Sequence, residues 1–168
     1  TPWTIPGNRA IAFGDSIDYC IFKVQESKNN LLKNNKYLVA KSLLEEVCER
    51  CNINKFELVK EIKGEELNNT ICYHPFSKIG FDYDVPLLNA VFVEDSEGTG
   101  FVHIAPCYGE DDYYLALDNN IVIKDIVKDD GCYRDNTPVF AGIHVFKAHL
   151  SVIEKLEEQN KLLGSREY

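Results

Sequence analysis

The run from Gly98 to Tyr113, Gly-Thr-Gly-Phe-Val-His-Ile-Ala-Pro-Cys-Tyr-Gly-Glu-Asp-Asp-Tyr, leaves its backbone little freedom. Gly98-Thr99-Gly100 reads as a turn. Phe101–Ala105 reads as a short buried strand carrying one polar residue, His103. Pro106 ends that strand because it has no N–H to give a ladder. Gly109 allows a tight turn, and Glu110-Asp111-Asp112 opens a helix, where carboxylates suit the positive end of the helix dipole. The expected outcome is a strand–loop–helix corner with His103 on the strand and Asp112 in the first helical turn, facing a common hollow. A carboxylate held there suits a cation such as a substrate ammonium group. The plainer alternatives are that Asp111 or Asp112 only caps its helix, and that His103 is a satisfied core residue.

A chain of 168 residues is long enough to bury a real core. Its net charge of −9 argues against gripping a nucleic-acid duplex, which needs a basic face. Contact with a nucleotide end remains compatible with it. No apolar run approaches the roughly 18 to 20 residues that span a bilayer. The chain opens Thr-Pro-Trp-Thr and holds no Met, which reads as an excised piece of a longer protein. Six cysteines match no small secreted scaffold and read as reduced thiols in a cytosol. Cys48-Glu-Arg-Cys51 has metal-ligand spacing without a second pair, so core packing accounts for it better than zinc.

Residues 1–9 hold two prolines and a glycine, which predicts an extended loop with Trp3 tacking it down. Strands are expected at Ala10–Phe13, Ile17–Val24, Tyr37–Ala40, Phe56–Lys63, Leu87–Val93 and into Ala105. The Leu87–Val93 strand is expected to form a hairpin with its successor around Ser96-Glu97-Gly98. Residues 65–86 read as irregular, pinned by Tyr73, Phe76, Phe81 and Tyr83, with His74 structural. Val122–Val127 and Cys132-Tyr133 flank an Asp130-Gly131 turn and read as a second hairpin. Helices are expected over Ser42–Cys51, Glu110–Leu117 and Val145–Asn160, the last with Phe146, Leu150, Ile153 and Leu156 inward. His144 and His149 read as surface or packing residues, and Leu162-Leu163 as the start of a final strand. The sum is an α/β domain on a largely antiparallel, partly closed, β-barrel-like sheet with about three helices. Phosphate-loop, dinucleotide-binding, nucleophile-elbow and His-Glu-x-x-His motifs are absent.

Two stretches resemble one family. Thr1-Pro-Trp-Thr-Ile-Pro-Gly-Asn-Arg-Ala-Ile11 resembles the threonine-rich motif that opens the editing domain (CP1) of isoleucyl-tRNA synthetases, and Gly98–Tyr113 resembles its second motif. Tyr37-Leu-Val-Ala40, Lys63-Gly64, His74-Pro75 and Pro138-Val-Phe-Ala-Gly142 also look like that domain, so the resemblance runs nearly end to end. The Pro2-Trp3-Thr4 form points to the isoleucyl enzymes rather than the valyl or leucyl relatives, which carry an Arg-Pro pair there.

The resemblance implies a single editing domain over residues 1–168, inserted in a class I synthetase and beginning just inside its threonine motif. It implies hydrolysis of valine mischarged on the isoleucine tRNA, after transfer and with pre-transfer cleavage left open. The candidate catalytic residues are Asp112, matching the carboxylate that holds the substrate ammonium, and His103, matching the histidine beside the ester. Thr1, Trp3 and Thr4 match the rim that contacts the aminoacyl-adenosine end, and Thr99 and Gly109 complete the candidate substrate-binding set. The implied partners are the 3′ aminoacylated end of tRNA and the remainder of a cytoplasmic synthetase, with no membrane, no cofactor and no metal in this domain. Two further threonines precede Thr1 in the family motif, and Cys107-Tyr108 departs from the small or His residues often found there, which reshapes a pocket wall. With no activated Ser or Cys, a positioned water is the expected nucleophile. A non-catalytic module that binds the aminoacyl or nucleotide end is the alternative, and a purely structural insert that positions the tRNA arm is a further one.

Overall fold

The computed structural model describes residues 1–165. Seven strands and three α-helices are found among them: β1 (Ala10–Phe13), β2 (Asp18–Ser27), β3 (Lys36–Ala40), α1 (Leu44–Arg50), β4 (Ile53–Lys63), β5 (Ile71–Tyr73), β6 (Asp84–Asn89), β7 (Phe101–Ile104), α2 (Glu110–Asp118) and α3 (Val145–Glu158). The strands form a four-stranded sheet in the order β5-β6-β1-β7 and a three-stranded sheet in the order β3-β2-β4. Both are open, and the class is the α/β class expected, with antiparallel pairing of β2 to β3 and β4 and of β5 to β6. No helix among the described residues is long and apolar enough to cross a membrane.

The chain divides into two compact units. The second comprises Ala12–Asn69, Asn89–Val102 and, of the described residues, 163–165. Its centre is β2, where Cys20, Phe22 and Val24 point one way at period two and are fully buried. Phe22 sits between rings on both neighbouring strands, Tyr37 of β3 and Phe56 of β4. Helix α1 adds Leu44, Val47 and Cys48 at helical spacing.

The first unit comprises Thr1–Ile11, Thr70–Leu88 and His103–Leu162. It begins with a 3₁₀ turn over Pro2–Gly7, where an extended loop was expected. Proline at the first helical position has its φ pre-set and loses nothing by lacking an N–H, so Pro2 starts the turn rather than preventing it. The core of this unit is Phe76, Phe81, Tyr133, Phe140 and Ile126 with Ala148, Val152 and Leu156 of α3.

Several expectations are corrected. The β6–β7 hairpin does not form, because β1 lies between those strands in the sheet. Ala10, Ala12 and Phe13 are fully buried, as a strand with neighbours on both sides requires. Residues 65–86 are not all irregular, since they hold β5 and the start of β6. Tyr73 does not pin this segment, being 81% exposed, whereas Phe76 and Phe81 do. The second hairpin reduces to isolated bridges, Val127 to Tyr133 and Cys132 to His144, and no strand starts at Leu162-Leu163.

The face of α3 is also different. Leu156 is buried as expected, but in line with Ala148 and Val152, while Phe146 is 88% and Leu150 66% exposed. Both stripes have helical spacing, so periodicity alone does not choose between them. Ala148 lets the helix axis approach the ring cluster, and the bulkier stripe then turns outward. Replacing Phe76 by Ala is expected to cost about 3–5 kcal/mol, and Phe146→Ala to stay within about 0.5 kcal/mol, measured by chemical denaturation. Equal losses at the two positions would reverse the assignment of the buried face.

Candidate functional site

The 3₁₀ turn carries the first motif, and its carbonyls are held by distant side chains. A 3₁₀ turn bonds each C=O to the N–H three residues on. Pro6 stands three residues after Trp3 and has no N–H, so the Trp3 carbonyl lacks that partner. The Tyr133 hydroxyl donates to it instead at 2.5 Å. His74 Nε2 donates to the Ile5 carbonyl at 3.0 Å, and the Tyr83 hydroxyl to the Asn8 carbonyl at 2.9 Å. His74 Nδ1 accepts from the Phe76 N–H at 3.0 Å, which leaves Nε2 as the protonated nitrogen. The ring stacks on Phe81 at 12° between planes and is fully buried. The Arg9 guanidinium lies 4.2 Å over the Tyr83 ring, a cation–π contact.

This pinning aims Thr4 at β7. The Thr4 hydroxyl lies 2.9 Å from His103 Nε2 and donates to the Thr1 carbonyl at 2.8 Å. The two sequence motifs, 99 residues apart at this pair, therefore meet in one hydrogen bond. The other ring nitrogen, Nδ1, contacts the Asn8 side-chain amide at 2.9 Å. Burial depresses the His103 pKa to about 4, so the ring is neutral at physiological pH.

Asp112 lies in the first turn of α2, half-buried. The N-cap of that helix is Gly109, which has no side chain to cap it, and the Asp112 carboxylate accepts from its own backbone N–H in the first turn, so part of its role is the helix-capping one. Its Oδ2 accepts from the Ala105 N–H at 2.6 Å, where the chain has just left β7. The carboxylate thus ties the strand end to the helix start. Burial raises its pKa, and the Ala105 bond partly opposes that. Gly109 is required by this approach: a Cβ there would stand 2.9 Å from the Asp112 carboxyl carbon.

Trp3 packs edge-on against Tyr108, with ring centroids 5.1 Å apart. Tyr108 also covers Gly7, where a Cβ would come within 3.0 Å of its ring. Its hydroxyl donates to Asp125 and accepts from the Ile126 N–H. The residue that departs from the family pattern is thus a fixed wall behind Trp3. A cleft of about 790 Å³ opens beside it, lined by Pro106, Cys107, Tyr108, Gly109, Glu110, Tyr113 and Tyr114 among others. Neither His103 nor Asp112 lines that cleft.

The structure brings Thr1, Thr4 and His103 into one hydrogen-bonded chain and seats Trp3, Gly109 and Asp112 in the same unit. Thr99 belongs to the second unit, where its carbonyl accepts from the Ala40 N–H at 2.9 Å. Asn8, His74, Tyr83 and Tyr133 were not expected to serve the site. Their service is to backbone or ring atoms far away in sequence, and no local pattern announces it.

No family model matches the chain. It is 46% identical over 167 residues to an isoleucine–tRNA ligase of Pelagibacter ubique, a match covering 99% of this chain and 18% of that protein. The chain therefore spans about a fifth of the length of that relative. Among solved structures it superposes on the crystal structure of GlLeuRS-CP1 with a TM-score of 0.74 at 15% identity, covering 99% of this chain and 82% of that one. It also superposes on the editing domain of the P. knowlesi cytosolic leucyl-tRNA synthetase with a TM-score of 0.67 at 14% identity, covering 95% and 79%.

His74 makes the fold pH-dependent. Its folded pKa is depressed to about 4 by burial, against about 6.5 when unfolded. Below pH 6.5 the unfolded chain binds a proton that the folded chain refuses until about pH 4. The stability from neutral His74 is therefore complete above pH 6.5 and lost as pH falls, by about 1.4 kcal/mol per unit across that window. His74→Phe should remove this share of the slope in denaturation curves taken from pH 7 to pH 4 and leave the like share of His103. An unchanged slope would mean that His74 titrates normally in the fold.

Proposed function

We propose, for a chain homologous to one segment of the isoleucine–tRNA ligases and folded as a synthetase editing domain, that it proofreads aminoacylation by hydrolysing valine from mischarged isoleucine tRNA. The observation that carries this reading is the Thr4–His103 hydrogen bond, which joins the two motifs at one point. The physical need is a second sieve. One methylene in an apolar pocket is worth only about 1–3 kcal/mol, and isoleucine against valine is itself the standard instance of that limit.

In this reading Asp112, whose carboxylate is held by the Ala105 N–H and its own N–H, receives the substrate α-ammonium. An ammonium there would offset the burial that now raises its pKa. Thr1, Trp3 and Thr4 hold the terminal adenosine, Gly109 completes the binding surface of the first unit, and His103 and Thr4 orient the water. Water adds to the ester carbonyl, the bond to the ribose oxygen breaks, and that oxygen departs with a proton that came from the water. Isoleucine is refused sterically. No residue need be acylated, and the chemistry rests on orientation and oxyanion stabilisation. The remainder of a cytoplasmic synthetase supplies the grip on the tRNA body, since a domain of net charge −9 neutralises few phosphates.

Asp112→Ala in the full-length synthetase should slow valyl-tRNA deacylation by about 10- to 100-fold, the usual worth of a hydrogen bond to a charged group, and leave isoleucine activation intact. Deacylation that survives this change removes the ammonium anchor. A wild-type enzyme that binds the aminoacyl end without hydrolysing it makes the domain a binding module.

A further inference from the structure

We infer that Asn8 is a positioning residue that locks His103 as the Nε2–H tautomer, so that His103 serves the site as a hydrogen-bond donor to Thr4 and not as a base. This deepens the editing reading and rests on it for its catalytic meaning, although the tautomer itself does not.

Two independent lines of hydrogen-bond bookkeeping reach the same proton. The first starts from Thr1. Its carbonyl can only accept, so the Thr4 hydroxyl, 2.8 Å away, spends its single proton there. The Thr4 oxygen then faces His103 Nε2 at 2.9 Å as an acceptor, and Nε2 must carry the hydrogen. The second starts from Asn8. The end of its amide that meets His103 Nδ1 at 2.9 Å also lies 2.8 Å from the Ala10 carbonyl oxygen and 3.2 Å from that of Ile104. The Ile104 carbonyl already accepts from the Arg9 N–H, but an amide oxygen set this close to two carbonyl oxygens would be repelled by both, so this end is assigned as the NH₂ group. Its two protons are shared among three acceptors, the two carbonyls and Nδ1, and because an amide nitrogen cannot accept, the Nδ1 that faces it must be bare. Asn8 is itself buried, at 5% exposure, so its amide has no easy recourse to solvent.

The consequence is chemical. The His103 ring has one proton and one lone pair, and both are committed within the protein. Taking a proton from water would require Nδ1 to turn from acceptor to donor against an NH₂ group, which leaves two donors facing each other in a buried place. The depressed pKa of His103 agrees with that cost. What the relay Asn8–His103–Thr4–Thr1 leaves over is a lone pair on the Thr4 oxygen, held in a fixed direction. In the proposed reaction that lone pair accepts from the water and orients it, and the ring never changes charge.

The test uses the full-length synthetase. Nitrogen-15 NMR of histidine-labelled enzyme, with the His103 signals assigned by their loss in His103→Gln, should show Nε2 protonated and Nδ1 bare from pH 8 down to pH 5.5. Protonated Nδ1 in the wild type would overturn the inference without any variant. Asn8→Asp keeps the shape and replaces the donor by an acceptor, so it should move the proton to Nδ1. It should also slow valyl-tRNA deacylation at pH 7.5 by about 10-fold or more, as for one reversed buried hydrogen bond, and introduce an inflection between pH 6 and 7.5 that the wild-type profile lacks. A wild-type profile with its own inflection there, removed by His103→Gln, would make His103 a base and refute the inference. A wild-type enzyme with the expected NMR pattern and no deacylation at all would refute the editing reading and leave the tautomer standing.

Discussion

A proline at position 6 strips the Trp3 carbonyl of its partner within the turn, and the first unit is arranged around repairing that loss. Tyr133 reaches in from a bridge residue to supply the missing donor, His74 takes the Ile5 carbonyl, and Tyr83 takes that of Asn8. Each donor is an aromatic or imidazole side chain whose body is packed with apolar neighbours while its polar tip reaches the turn. The aromatic cluster therefore does two things at once. It supplies burial, and it holds three rigid donors at heights that only one conformation of Pro2–Gly7 can meet. Flexible side chains in those places would satisfy the same carbonyls less exactingly, and Thr4 would wander from His103.

The two prolines misled the reading of residues 1–9 for the same reason. Their local effect is to break ladders, and from sequence that reads as an extended loop. The turn is stabilised by residues 69 to 130 positions away, and no window over the turn contains them. Much else was legible. Alternation along β2, the helical stripe of α1, and the strand–Pro–Gly–acidic order of the corner each stem from local backbone rules and appear as expected. The failures share one cause. The order β5-β6-β1-β7 inserts an early strand between two later ones, and α3 buries its small stripe rather than its bulky one. Both are choices made by packing partners, between alternatives that sequence periodicity rates as equal.

The candidate site shows the same division. His103 and Asp112 stand out in sequence because each is a chemically capable residue in a stretch otherwise dictated by backbone needs. Asn8 does not stand out, lying between a glycine and an arginine in a segment with no period. Its importance is a matter of which atoms face it, and those belong to Ala10, His103 and Ile104. A buried asparagine facing strand residues in space is a signal that only burial reveals.

Charge accounting narrows what the site can accept. His103 is held neutral, and the threonine hydroxyls carry no charge. Asp112 makes no ion pair among the described residues, although lysines and arginines elsewhere in the chain pair freely with surface carboxylates. The donors it does have, the Ala105 N–H and its own N–H, are neutral and fix direction without cancelling charge. A half-buried carboxylate left in that condition has a raised pKa and is stabilised most by a cation that comes from outside. An amino acid esterified to tRNA brings such a cation in its free α-ammonium, while the same residue inside a peptide does not. Under the proposed reading, a ligand bearing a free amine is favoured over one without it.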